Sequence, residues 1–389
     1  MMRHQALARG AGKVSGRRTG GPGFSVVLIL IMLAGCAARL GPEALDPVAE
    51  RPEGNGSVTV LTVTNRALTT ERPQTYRDGR GKLSYEQFTM QMVTSDSAGK
   101  PGVSAIRHPE NPSKDFVTTG RRELDEALFM QSVNGARKAD DTIVVFVHGY
   151  NTSYQEAVFR LAQLGTDSDT FDLPILFSWP PTGDFRGYLA DRDSTTYARD
   201  DLVHLLTLLS RSRSKERISV IGHSMGGWLV MEALRQLRLE GRDDVIARLQ
   251  VGLASPDIDI DVFRKQAAVV GPLTPPLGVL VSADDRALSL SSRLAGGKPR
   301  LGLARADDPL IQEIAHQNGL QILDVSNLPA TDGMKHDRFV ALAAHYSVAA
   351  AKDGSVGGLR QAGVYILDAT GRILSAPFSG TARILAGSP

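Results

Sequence analysis

Residues 217–227 read RISVIGHSMGG, and the order of residue types within them decides the fold. Ile218, Ser219, Val220 and Ile221 make a short β-branched, apolar run, the mark of a buried strand. The run breaks into Gly222, His223, Ser224, Met225, Gly226 and Gly227. Trp228, Leu229, Met231, Leu234 and Leu237 then recur at helical spacing. A G-x-S-x-G between strand and helix forms a nucleophile elbow. The serine sits at the apex of a cramped turn, so the residues two positions to either side must lack bulk. Gly222 and Gly226 meet that demand, and Ser224 is the candidate nucleophile. The first turn of the helix directs N–H groups at any oxyanion forming beside the serine.

A serine hydroxyl needs a base, a carboxylate to orient the base, and donors for the oxyanion. On scaffolds with this elbow the acid and then the histidine follow the serine along the chain. Of eight histidines, only His316, His336 and His345 come after it. His316 falls late in a helical stretch leading into a strand, which places it at the wrong end of the sheet. His336 lies in a loop, SNLPATDGMKHDRF, and is the candidate base. His345, midway along a helical pattern over 339–350, is the alternative. The run 277–282 (LGVLVS) reads as a strand leading into Asp284 and Asp285; Asp285 is the candidate acid and Asp284 its rival. Asp257, Asp259 and Asp261 (SPDIDID) read better as caps for the next helix than as a calcium loop, which would need a glycine and a distal glutamate. Oxyanion donors are expected from the Met225 N–H and, in the loop 147–151 (VHGYN), from the Tyr150 N–H. Gly149 permits close approach there, and His148 is expected to order the loop by hydrogen bonding.

The rest of the chain reads as α/β, a mostly parallel central sheet with helices on both faces. Apolar runs within 141–148, 174–179, 249–254, 277–282 and 320–325 alternate with helical patterns at 154–164, 197–209, 261–270, 287–294 and 309–318. Ahead of them, 57–64 and 83–95 read as antiparallel strands, 69–82 as turns, 98–113 as loop and 121–135 as a helix. The stretch 180–195 (PPTGDFRGYLADRDST) reads either as a lid hinged at Gly183 and Gly187 or as a solvated connection. In the tail, YILDATGRIL (365–374) reads as a hairpin turning at 368–371.

With 42% hydrophobic and 22% charged residues in a chain of 389, the composition is that of a globular protein with one large α/β domain and appendages, or two modest domains. The first 35 residues carry five bases and no acid, so the net charge of +2 becomes about −3 for the remainder. That balance argues against a nucleic-acid partner. The apolar run 24–33 (FSVVLILIML) is too short to span a bilayer. It ends in Leu33, Ala34, Gly35 and Cys36, which resembles a bacterial lipobox. The resemblance implies cleavage before Cys36, the chain's single cysteine, and its acylation. With Ala37 rather than Asp following, it also implies an outer-membrane address facing the periplasm. The expected organisation is a leader over 1–35, a Pro- and Gly-rich tether over 36–56, a catalytic domain over 57–353, and an extension with the hairpin over 354–389.

Seven segments, VTNR (63–66), HGYNTSYQEAVFRLAQL (148–164), PILFSWPPTG (174–183), YLADRDS (188–194), IGHSMGGWLVMEALRQL (221–237), PDIDIDVF (256–263) and SADDRALSLS (282–291), together resemble a family of bacterial α/β-hydrolases of unknown function in the esterase/lipase superfamily. The resemblance runs over roughly 57–350. By the family's pattern Ser224, Asp285 and His336 would form the triad. KHDRF (335–339) departs from the family's NHS- or GHS-like sequence, which keeps His345 open. The implied activity is hydrolysis of a small-molecule or lipid ester through an acyl-enzyme, with no cofactor or metal, on a membrane reached through Cys36. The rival reading is a hydrolase-fold lipoprotein that serves only as a binding scaffold in the cell envelope.

Overall fold

The computed structural model describes residues 40–49, 56–69, 75–92, 116–135, 142–167, 172–184, 186–213 and 217–342, with two short strands near the C-terminus. The leader, Cys36, His345 and the hairpin turn at 368–371 lie outside the described residues.

Among the described residues, eleven strands form one sheet. In chain order they are β1 (Ser57–Leu68), β2 (Tyr76–Met92), β3 (Phe116–Leu124), β4 (Ile143–Val147), β5 (Leu173–Ser178), β6 (Ile218–His223), β7 (Leu249–Ala254), β8 (Gly278–Val281), β9 (Gln321–Asp324), β10 (Tyr365–Leu367) and β11 (Ile373–Ser375). They lie in the order β11-β10-β9-β8-β7-β6-β4-β5-β1-β2-β3. From β9 to β1 every neighbouring pair is parallel, and an antiparallel pair closes each edge. The strands at the centre, β4 and β5, are buried at every position, because helices cover both faces.

The helices are α1 (Glu126–Gly135), α2 (Tyr154–Asp167), α3 (Tyr188–Ser210), α4 (Met225–Leu239), the short α5 (Asp243–Ile246), α6 (Ile260–Val270), α7 (Arg286–Leu294) and α8 (Pro309–Asn318). On one face Ile143, Val145 and Val147 of β4 pack with Leu202 and Leu205 of α3 and Leu229 and Val230 of α4. Val144 and Phe146 alternate to the other face, where α2 lies over β5 and β1. This arrangement aligns the carboxyl ends of the parallel strands: Thr64 pairs with Ser178, and Val147 pairs with both Phe177 and Gly222. Chemistry in such sheets gathers at that edge.

Four expectations change. Residues 121–124 belong to β3 rather than to a helix, because Arg121 and Glu123 stand opposite Phe88 and Glu86 in the ladder with β2. The helix starts only after Asp125, whose Oδ1 caps it by accepting the Leu128 N–H at 2.7 Å. The stretch read as turns supplies the first half of β2, which pairs with the end of β1 through irregular register at Arg66 and Leu68. Helix α3 begins at Tyr188 rather than at 197, with Asp191, Ser194 and Thr195 buried, so any mobile cover is limited to 180–187. Within the tether, Pro42–Leu45 forms a 3-10 turn with Leu45 buried. Thr118 holds it through its O to the Val48 N–H and its Oγ1 to the Ala44 O. That part of the tether is docked on β3.

Candidate active site

Ser224 stands between β6 and α4 with φ 53° and ψ −120°, a backbone conformation that L-residues rarely adopt. Its neighbours enforce the bend. A Cβ at Gly226 would come within 2.3 Å of Val147 O, and one at Gly222 within 2.8 Å of the Gly227 Cα. The turn is further tied by the Ser224 N–H to Ala254 O and by the Ser224 O, which accepts the N–H groups of Gly227 and Asp257. The Met225 N–H opens the first turn of α4, where amides have no partner within the helix. Across from it, Gly149 comes so close that its Cβ would lie 2.9 Å from Ser224 Cβ, which brings the loop carrying Tyr150 against the nucleophile.

Asp285 and His336 meet directly. Asp285 Oδ2 lies 2.7 Å from His336 Nδ1, while its Oδ1 accepts the Leu288 N–H at 2.9 Å as the cap of α7. The carboxylate is fully buried and pinned by a helix, so the Nδ1 proton points at it and the Nε2 lone pair is left for a substrate or nucleophile. Burial works against the imidazolium. The hydrogen bond and charge of Asp285, with Asp332 and Asp257 adding to the field, nevertheless hold the His336 pKa above its ordinary value. The loop is fixed by the His336 N–H to Asp332 Oδ1 at 2.9 Å. The His336 ring lies 4.6 Å from that of His223, the residue before Ser224. His223 also packs on Phe339 and approaches His336 O with its Nε2 at 3.3 Å. Burial, and secondarily His336, pushes the His223 pKa well down, so that ring is a neutral spacer. Among the described residues no hydrogen bond joins Ser224 Oγ to His336.

The rival acid faces elsewhere. Asp284 is 43% exposed and paired with Lys335 Nζ at 2.7 Å and with the Arg338 guanidinium. Those partners, Arg338 first, hold its carboxyl well below the usual range. Of the three aspartates read as caps, Asp259 caps α6 through the Asp261 and Val262 N–H groups. Asp257 does something else. It is buried, 3.2 Å from Arg300 Nε and 2.5 Å from Ser291 Oγ, and Tyr188 OH joins Ser291 and Arg300 at 3.2 Å each. Sequence reading missed Arg300, because nothing in KPR (298–300) distinguishes a buried arginine from a solvated one.

His148 orders its loop as expected. Its Nδ1 donates to Gly149 O at 2.9 Å, its O accepts the Trp179 indole N–H at 2.8 Å, and its ring stacks on Trp179. Burial first, and then the charge of Arg66, lower its pKa to about 3. His148 is therefore a neutral structural group and not a base.

A mostly parallel sheet whose central strand breaks into a serine elbow at its carboxyl end, with helices on both faces, is the α/β-hydrolase fold. The chain belongs to the family described as alpha/beta hydrolase of unknown function (DUF900), whose model matches residues 126–351. It is also similar to an uncharacterized protein of Nostoc sp. (strain PCC 7120), at 24% identity over 140 residues. That match covers 30% of this chain and 36% of the relative, so the chain spans about a third of the relative's length. Among solved structures it is similar to ESTFA in its Fe-lacking apo form, at 13% identity and a TM-score of 0.28, over 72% of this chain and 87% of that one.

Proposed function

We propose that this chain is a serine hydrolase that cleaves carboxylic esters through an acyl-enzyme. In this reading Ser224 Oγ attacks the acyl carbonyl and His336 Nε2 takes its proton. Asp285 keeps the imidazole in the tautomer that can do so and stabilises the imidazolium that forms. The N–H groups of Met225 and Tyr150 receive the oxyanion. His336 then returns the proton to the leaving alkoxide, and water, activated by the same histidine, releases the acid. The observation that carries the reading is the 2.7 Å contact of a buried, helix-capping Asp285 with His336, next to a serine held at an elbow. The substrate is proposed to be a small-molecule or lipid ester, and the domain to be anchored in the cell envelope through an acylated Cys36. Loss of incorporated palmitate in Cys36→Ser tests the anchor.

A series of p-nitrophenyl esters of graded chain length tests the activity. Turnover that vanishes in Ser224→Ala supports it, and the chain-length optimum separates a short-chain esterase from a lipase. No turnover of any ester by folded wild-type protein favours the scaffold reading.

A further inference from the structure

Below the loop that carries Tyr150 sits a buried cation outside the triad. Arg66, at the end of β1, is 1% exposed. Its Nε–H donates to Ser178 Oγ at 2.9 Å, and its Nη2 donates to Thr152 O at 2.7 Å and to His148 Nε2 at 3.2 Å. The single His148 Nε2 lone pair faces two donors, the Arg66 Nη2–H and the Ser178 hydroxyl, and is shared between them. Ser178 Oγ accepts from Arg66 and can pass its own hydrogen to His148 Nε2 at 3.1 Å, while the His148 Nδ1 proton goes to Gly149 O. Arg66 therefore grips both ends of the segment 148–152, one end through His148 and the other through the Thr152 carbonyl. From the other side Asp191, fully buried in the first turn of α3, accepts the Asn151 N–H at 3.4 Å and the Thr182 N–H at 2.6 Å. Asn151 itself has φ 53°, in the left-handed region that asparagine tolerates better than most other residues. The parallel register makes the grip possible: Thr64 stands opposite Ser178, and Val147 opposite Phe177, so Ser178 at the end of β5 and His148 just after β4 fall at neighbouring positions, and Arg66 follows two residues beyond Thr64.

We infer that Arg66 is a positioning residue for the oxyanion site, fixing the Tyr150 N–H through the backbone of 148–152, with Asp191 as the opposing clamp. A buried cation directed at Ser178, Thr152 and His148 is costly to keep unless its geometry does something. Its contacts end on the segment whose amide must already be aimed when the substrate oxygen becomes negative. A lysine would retain the charge but not the fork that reaches Ser178, His148 and Thr152 together.

The inference rests on the proposed hydrolase reading, and the test separates the two. Steady-state hydrolysis of p-nitrophenyl butyrate is compared for wild type, Arg66→Gln, Arg66→Lys and Ser178→Ala, with hydrogen exchange of the Tyr150–Thr152 amides on each protein. The expected result for Arg66→Gln is a kcat lower by about 100-fold with KM within about threefold, faster exchange over 150–152, and partial recovery of kcat in Arg66→Lys. Ser178→Ala, which removes one arm of the grip, is expected to lower kcat about fivefold at constant KM; it decides the matter if Arg66→Gln does not fold. An unchanged kcat in a folded Arg66→Gln, or in Ser178→Ala when Arg66→Gln does not fold, overturns the inference, as does a loss confined to KM. If wild type turns over no ester, the hydrolase reading fails by itself, and exchange over 150–152 still decides the anchoring: faster in Arg66→Gln supports it, unchanged overturns it.

Discussion

Asp285 Oδ2 lies 2.7 Å from His336 Nδ1, and the same carboxylate caps the helix that follows it. One buried group thus holds the imidazole and is itself held by backbone. A base orienter gains rigidity from such double duty, since moving the carboxylate would uncap α7.

The pair sets a pH dependence. In the proposed mechanism His336 must be neutral to take a proton; against burial, the hydrogen bond and charge of Asp285 hold its pKa above the ordinary 6.5. The expected kcat/KM profile therefore rises with pH and inflects above 6.5, and Asp257→Asn moves the inflection down. Stability follows the opposite limb. The protonated His336 contributes fully below its unfolded pKa of about 6.5, and the contribution fades as pH rises through the higher folded value. A pH–rate profile and a denaturation midpoint series check both signs.

Asp284 and Asp285 are adjacent in sequence and opposite in consequence. Asp285→Asn is expected to lower kcat by about 10⁴-fold, since the amide no longer fixes the tautomer. Asp284→Asn, which loosens the contacts to Ser282, Lys335 and Arg338, is expected to leave kcat within about threefold. Equal losses in the two variants contradict the assignment.

Gly226 is required by space alone. An alanine Cβ there would meet Val147 O at 2.3 Å and His148 O at 2.4 Å. Gly226→Ala is expected to cost about 3 kcal/mol of stability, read as a fall in the urea midpoint. A wild-type midpoint would mean the elbow is looser than described.

Asp257 neutralises Arg300 where neither side chain reaches solvent. Asp257→Ala is expected to cost roughly 3–5 kcal/mol, because it strands a buried guanidinium. The double variant Asp257→Ala, Arg300→Met should recover part of that loss. A double-mutant cycle measures the difference.

Much of this was legible in the sequence, for identifiable reasons. The elbow could be read because its strand, glycines and helix are contiguous, and the parallel strands because double burial leaves unbroken apolar runs such as IVVFV. Chain order and loop position narrowed the base to His336 or His345 and the acid to Asp284 or Asp285. Asp284 could not be separated from Asp285, because the choice depends on Lys335 and Arg338 arriving from 51 and 54 residues away. The early start of α3 was hidden because its buried polar groups are matched one by one, Asp191 by Asn151 and Thr182, Tyr188 by Ser291, Ser194 by Arg80 and Thr195 by Arg192 O, rather than forming an apolar stripe. Arg66 was read only as part of VTNR; its role is set by what β5 and β4 place beside it.

The central claim is that Ser224 is a nucleophile activated by His336, and covalent trapping tests it most directly. Folded wild-type protein is treated with a fluorophosphonate, digested, and the modified peptide located by mass spectrometry. A single adduct is expected on Ser224, absent in Ser224→Ala and formed far more slowly in His336→Ala. An adduct at another residue, or none on folded protein, would contradict it.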